Sequence, residues 1–383
     1  MDAGSVTIVK SVYGGKGLAY IDGKAVFVSF ALPDEECTVR ITRRYRDYDI
    51  GEIVEIHLPS PFRTRPLCPN FFHCGGCSYQ HLSYDSEIRI KKSILLDSLK
   101  RIAGMQEDSL PGIELITGER YGYRSHAAVK TNSAETGFYQ NGTNKIIPFP
   151  EQGCALLAPE INSCMKEKIL PANDFRIAFH SEGVSFAPEN HGTEIIEKEF
   201  HLAYKRDIGS FYQANRHLRP VMLNQVKNLA DFTMKNIMDI CCGVGFFSLY
   251  LAGESGGVTG YDIDKRTINY ARKNAEENNI TNARFFSLPS SQIKTTGPAP
   301  DIIIVDPPRS GMDKKTRRTV AALSPEKLIY VSCNPATFAR DTRDLIKEGF
   351  TCTRLMLIDM FPCTYHIEMI SLFTRPTFGK KSH

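Results

Sequence analysis

The amino-acid sequence predicts an α/β protein: a C-terminal parallel sheet with helices on both faces, preceded by a small all-β barrel and a mixed α+β segment. Three observations predict this. From about residue 202, short apolar runs alternate with longer helical patterns, as strands joined by crossover helices do. The first 58 residues instead carry five short alternating or β-branched runs separated by turn residues. Between these regions, clustered cysteines open a stretch that mixes one helix with short strands. The expected domains are 1–58, 62–200 and 201–383.

In order, the N-terminal strands are expected at 6–10, 18–21, 25–28, 37–42 and 52–58, with Gly14-Gly15, Asp22-Gly23 and Pro33-Asp34 supplying turns. Five strands in under 60 residues suggest an OB-like barrel, an architecture that holds single-stranded nucleic acid. Arg40, Arg43, Arg44 and Arg46, interleaved with Tyr45 and Tyr48, suit phosphate contact and base stacking, although a solvated strand face has the same composition. Pro59-Ser60-Pro61 reads as a linker. A polar helix is expected over 84–103, then strands at 127–131, 137–139 and 176–180. Further on, strands are expected at 237–240, 258–261, 302–305 and 328–332, with helices at 245–252 and 265–278. Two last runs, 356–360 and 367–373, leave no room for a helix between them and read as an antiparallel pair at the sheet edge.

Composition narrows the function classes. Over 383 residues, 42% hydrophobic and 23% charged suits a well-cored protein, and no apolar stretch reaches the ~18 residues that span a bilayer. Residues 1–8 show no basic segment followed by an apolar one, so a cytoplasmic location is expected, with no membrane partner. A net charge of +4 does not by itself imply nucleic acid. Eleven cysteines, odd in number and clustered, point to metal binding or catalysis over a disulfide framework.

The run Met238-Asp239-Ile240-Cys241-Cys242-Gly243-Val244-Gly245 is a strand entering a glycine turn that opens a helix. It lacks the third glycine of the dinucleotide fingerprint, and a tight structural turn is the plain alternative. The next strand ends in Asp262, placed to accept from ribose hydroxyls, while Asp262 or Asp264 could equally cap the following helix. Together the two motifs favour an adenosine ligand. Ser287-Leu288-Pro289-Ser290 offers no acid or amide to an adenine. Asp306-Pro307-Pro308-Arg309 follows another strand, so Asp306 belongs at the same carboxyl edge; no aromatic follows the prolines, and Arg309 is expected to point elsewhere.

Cys333, in Val331-Ser332-Cys333-Asn334-Pro335, ends the neighbouring strand. A lone cysteine is most often a small buried hydrophobe. Here it can add as a thiolate to carbon 6 of a uracil, making carbon 5 nucleophilic towards a methylsulfonium, which calls for a depressed thiol pKa. Removing the carbon-5 proton then needs a base, and His366 and Glu368, expected on one side of a strand, both qualify. Cys68, Cys74 and Cys77, with Gly75-Gly76 between the last two, suit a metal cage. Cys154, after Gly153, is the best fourth ligand, with Cys164, His73 and His81 as alternatives.

These residues, in this order, resemble the RNA uracil-5-methyltransferases that act on transfer and ribosomal RNA, over essentially the whole chain. The resemblance implies a Rossmann-like methyltransferase domain and S-adenosyl-L-methionine as methyl donor. It implies that Gln213, in Ser210-Phe211-Tyr212-Gln213-Ala214-Asn215, contacts that donor, with Asp262 and Asp306. Cys241 stands where an aromatic is usual, leaving its backbone to make the contact. It implies Cys333 as nucleophile, favours Glu368 as base, and makes the barrel a TRAM-like RNA-binding module. It further implies a [4Fe-4S] cluster on the cysteine spacing, with tetrahedral zinc the chemical alternative. The RNA is expected to be ribosomal, because barrel and cluster occur together in the family, with transfer RNA the alternative and a monomer as the working form. A non-catalytic RNA-binding protein with a decayed core is opposed by intact Gln213, Asp306, Cys333 and Glu368. A small-molecule or protein methyltransferase would not need Cys333, the barrel or the cluster.

Overall fold

The computed structural model of the chain describes residues 3–132, 134–167, 170–188, 192–231, 233–293 and 299–375. The chain forms two compact units. One comprises Met1–Asp97, Val129–Leu156 and Phe361–His366; the other comprises Ser98–Ala128, Leu157–Met360 and Ile367–His383.

The first unit contains a six-stranded sheet of Ala3–Thr7, Lys10–Val12, Lys16–Ile21, Lys24–Ser29, Glu36–Arg44 and Tyr48–Leu58. Ala3–Thr7 pairs with Glu36–Arg44, and Lys10–Val12 pairs with Lys16–Ile21. One segment therefore borders both edges of the sheet, which curls around Val6, Ile8, Val26, Val28 and Val39. The expected strand at 6–10 is thus two strands. The break falls at Ile8 and Val9, whose amides donate to Glu35 O (2.9 Å) and Leu18 O (2.7 Å). Asp22 and Gly23 both take positive φ, 50° and 77°, the conformation that a two-residue hairpin turn requires. Pro59-Ser60-Pro61 is not a free linker: Ser60 is buried, and its amide donates to Glu35 Oε1 (3.2 Å), the oxygen that also accepts from Arg63 Nε (2.6 Å).

The helix expected over 84–103 is α-helical over Tyr84–Ser98, continues as a wider π turn, Leu99–Ala103, and stops at Gly104, where φ is 72°. Its polar character is deceptive, since Glu87 and Lys91 are fully buried. Strands follow at His126–Thr131, Thr136–Tyr139 and Ile146–Pro148.

The second unit is built on an eight-stranded sheet. Its order is Ala283–Ser287, Gly257–Asp262, Asn236–Ile240, Ile302–Val305, Lys327–Ser332, Glu368–Thr374, Thr351–Ile358 and Ile113–Ile116. The first five strands run parallel. Ile302–Val305, buried at every residue, shows the continuous apolar run of a strand covered on both faces. Glu368–Thr374 runs antiparallel to both its neighbours, so the expected C-terminal pair exists. It is not at the edge, however: Ile113–Ile116 adds a further strand, parallel to Thr351–Ile358. Among the described residues, no helix is long and apolar enough to cross a membrane.

Candidate active site

Strand register brings the predicted residues of this unit to one end of the sheet. Ile240 lies opposite both Tyr261 and Val305, so Cys241, Asp262 and Asp306 follow at the same level. Ser332 lies opposite Met369 on the antiparallel neighbour, so one step further Cys333 faces Glu368. Nucleophile and base candidates thus come from adjacent strands. The strand begins at Glu368, and His366 precedes it; the alternation expected to put both on one side of a strand does not apply.

The glycine turn is held by its own backbone. The Cys241 and Cys242 amides both donate to Tyr261 O (2.8 and 3.1 Å), while Cys241, Gly243 and Gly245 all have positive φ. A Cβ on Gly243 would meet no protein atom within 4 Å, which leaves room for a ligand at the sheet edge. Asp262 is not the helix cap; Asp264 is, accepting from the Arg266 amide (2.7 Å). Asp262 accepts from the Gly243 and Asp264 amides (3.0 and 2.9 Å) and so ties the turn to the next strand.

Gln213 is buried, and its Oε1 has no hydrogen-bond partner among the described residues. Such an acceptor is costly unless a ligand donates to it. Its segment is fixed from both sides. Asn215 Oδ1 accepts from the His217 and Leu218 amides (both 3.1 Å). Arg206, fully buried, donates to Glu197 and to the carbonyls of Asp207, Ile208 and Ser210. Arg219 completes the network on Glu197 and Glu199, and both guanidiniums lie about 5 Å from the Tyr212 ring (5.2 and 5.0 Å). Removing one member of such a buried pair typically costs about 3–5 kcal/mol, so this scaffold is rigid.

Electrostatically the site is acidic. Burial, and secondarily the Asp262 charge, push Asp239 up to about 7 despite the hydrogen bond from Ser248 Oγ (2.6 Å). Burial, with Asp239 and Asp262 nearby, raises Asp306 to about 8. Glu368 is raised well above the carboxylate range by burial and by Asp306, with Arg309 opposing. Cys333 is raised to about 12, first by burial and then by Glu368 and Asp306. The low thiol pKa that the chemistry calls for is not what these surroundings give, first because the thiol is buried and then because carboxylates stand near it. Arg309, expected to point elsewhere, is the charge that opposes both shifts. Its carbonyl accepts from Asn334 Nδ2 and Thr337 Oγ1 (3.0 and 3.1 Å), holding the Asp306 loop to the helix after Cys333.

The raised acids make a stability prediction. A carboxyl with a raised folded-state pKa costs stability as pH climbs from its unfolded value, about 4, to its folded one. For Asp306 that window ends at about 8. Asp306→Asn removes the ionisation, so its melting temperature should exceed wild type at pH 8 and match it near pH 4. Equal differences at both pH values would mean that Asp306 stays ionised in the folded protein.

Comparisons with known proteins show the family and the fold. The sequence profile of the tRNA (uracil-5-)-methyltransferase family matches residues 188–297 and 291–375. An RNA methyltransferase of Aquifex aeolicus, itself uncharacterised, is 31% identical, the match covering 96% of this chain and 97% of that protein. The chain belongs to the RNA (uracil-5-)-methyltransferase family. The 23S rRNA (uracil(1939)-C(5))-methyltransferase RlmD of Legionella pneumophila is 28% identical to the methyltransferase, over 96% of each chain. The fold matches that of the Pyrococcus abyssi tRNA (uracil-54, C5)-methyltransferase, solved with S-adenosyl-L-homocysteine. The TM-score is 0.75 and the identity 23%, over 96% of this chain and 99% of that one.

Cys68, Cys74, Cys77 and Cys154 lie in the first unit of the chain, while Cys164, the alternative ligand, lies in the second. Cys154 acts electrostatically on both Cys68 and Cys77, and Cys74 acts on Cys77. Two sulfurs receive N–H donors: Gly76 N to Cys74 Sγ (3.4 Å) and Gln80 Nε2 to Cys77 Sγ (3.2 Å). Among the described residues, no group of three or more His, Cys, Asp and Glu is arranged to hold a metal ion. A fifth thiol, Cys363, also acts on Cys77; the spacing of the first four gave no signal for it. Sequence reasoning also passed over Phe211, beside Gln213, whose ring is 72% exposed. An exposed aromatic within the motif was the available signal.

Proposed function

We propose that this enzyme transfers a methyl group from S-adenosyl-L-methionine to carbon 5 of a uridine in RNA, 23S ribosomal RNA being favoured, through a covalent bond between Cys333 and carbon 6. The observation that carries the reading is the Ser332–Met369 register, which brings Cys333 and Glu368 to the same end of adjacent strands, where the Glu368 and Asp306 charges act on the thiol. S-adenosyl-L-methionine supplies an electrophilic methyl on a positively charged sulfur. Gln213 offers its unpartnered oxygen to that ligand, Asp262 a ribose contact, and the Cys241 backbone the edge of its cradle. The concentration of carboxylates around one arginine suits a cation. Arg309, whose charge opposes the rise at Cys333, favours the thiolate that adds to carbon 6. Carbon 5 then takes the methyl group, Glu368 removes the carbon-5 proton, and the electron pair returns to the ring as the Cys333 thiolate leaves.

The RNA is inferred from the RlmD relatives and from an N-terminal sheet that reads as a TRAM-like module. Tyr45 and Tyr48 stack there (centroids 4.6 Å apart) beside Arg43 and Arg44. A monomer working in the cytoplasm fits this reading. Unmodified 23S ribosomal RNA and transfer RNA transcripts, incubated with enzyme and labelled donor, test the choice: 5-methyluridine should appear in the ribosomal transcript. Label confined to transfer RNA would reassign the substrate.

The spacing of Cys68, Cys74, Cys77 and Cys154 and the family resemblance, not a preformed cage among the described residues, support a [4Fe-4S] cluster with a structural or RNA-folding role. Protein purified without oxygen should be brown and hold about four irons per chain. Colourless protein with stoichiometric zinc would overturn the assignment, and Cys154→Ala that keeps the metal would move the fourth ligand.

A further inference from the structure

Six residues that lie just ahead of Glu368 in sequence, Phe361–His366, belong to the cysteine-bearing unit. The unit grips them from its interior. Lys91 and Glu87 form an ion pair (2.8 Å) with neither side chain exposed to solvent. Lys91 Nζ also donates to Phe361 O (3.0 Å), and Glu87 Oε1 accepts from the Cys363 amide (2.7 Å). From the other side, the amides of Ser78 and Tyr79, directly after Cys77, both donate to Cys363 O (2.8 and 3.0 Å). Cys363 itself sits at φ 64°, where a non-glycine residue stays only when its surroundings hold it. The turn then closes on itself, Thr364 N and Oγ1 both donating to Phe361 O (3.2 and 2.8 Å), and Tyr365 packs against Leu32, Tyr79 and Leu82.

A buried ion pair is a poor way to stabilise a fold, since apolar residues of similar volume do as well or better. This pair instead fixes an amide and a carbonyl of a strained turn. We propose that Glu87, its charge balanced by Lys91, is a positioning residue for the proton-removal step: by holding the 361–364 turn through the Cys363 amide it sets where the chain enters the strand on which Glu368 stands. The inference rests on Glu368 being the base.

Two neutral double variants isolate the point. Glu87→Gln with Lys91→Met keeps an acceptor for the Cys363 amide; Glu87→Leu with Lys91→Met removes it. Neither leaves a lone buried charge. Each is assayed with labelled S-adenosyl-L-methionine and an unmodified RNA transcript that the wild-type enzyme methylates, with Glu368→Gln run in parallel. The leucine variant should lose about tenfold or more in kcat and accumulate a methyl-labelled protein–RNA adduct. Its KM for S-adenosyl-L-methionine should stay within about twofold, since adduct resolution, not ligand binding, is impaired. The glutamine variant should stay within about threefold of wild type. Equal behaviour of the two doubles would overturn the proposal, as would loss of activity with weakened donor binding and no adduct. If the leucine variant does not fold, a glutamine variant that traps the adduct as fully as Glu368→Gln would overturn it too. Absence of adduct with Glu368→Gln itself would instead sink the assignment of the base.

Discussion

Cys333→Ser is expected to bind RNA and S-adenosyl-L-methionine with near wild-type affinity and to lose methylation by at least about a thousandfold. Serine is nearly isosteric and occupies the same strand end opposite Glu368, so the fold and the donor site should survive. What fails is nucleophilicity. The thiol already sits at about 12 in its acidic surroundings. Its thiolate therefore has to form in the loaded site, and an alkoxide, far more basic, would not. Isothermal titration with donor, followed by mass mapping of the RNA, checks both halves. Methylation kept within about tenfold of wild type would remove Cys333 from the mechanism.

Glu368→Gln should give the opposite failure, a reaction that starts and cannot finish. Burial and the nearby Asp306 push the Glu368 carboxyl well above its usual range, which makes its carboxylate a stronger base. Glutamine keeps the size and hydrogen bonding of glutamate but cannot accept the carbon-5 proton near pH 7. Thiolate addition and methyl transfer should proceed, and elimination of Cys333 should stall. The product is a protein–RNA adduct that survives denaturing electrophoresis and carries label from the donor methyl. His366→Asn should not trap it to the same extent, because His366 precedes the strand and packs with Phe361 and Tyr365. Adduct with the His366 variant and free turnover with Glu368→Gln would reverse the roles. No adduct in either, with Cys333 still essential, would indicate a water-relayed base.

Much of this was legible in the sequence because it is local. The parallel strands announce themselves as apolar runs between helical periods, and Asp262, Asp306 and Cys333 are fixed by where those runs end. Ile113–Ile116 was not legible, since its place depends on pairing with Thr351–Ile358, over two hundred residues away. Nor was the split at Ile8 and Val9, which arises as the sheet curls. The raised thiol pKa of Cys333 was not legible either: a motif names a nucleophile but shows neither its burial nor the acids beside it. Arg309 was expected to point elsewhere because a backbone motif does not tell where a long side chain's charge acts. Glu87 and Lys91 look like an exposed i, i+4 pair, and only packing reveals them as buried.

The cysteine-bearing unit draws on three separated stretches of chain, the last of them Phe361–His366. On the ribosome, where domains generally fold from the N-terminus as synthesis proceeds, this unit cannot finish early. While more than two hundred residues after Leu156 are being made, Glu87 and Lys91 lack the backbone groups of Phe361 and Cys363 that complete their hydrogen bonding. The closing contacts are of high sequence separation, which slows folding and prolongs exposure of unfinished surface. A nascent chain halted before residue 361 should therefore remain protease-sensitive in its first hundred residues, and release of the full chain should protect them.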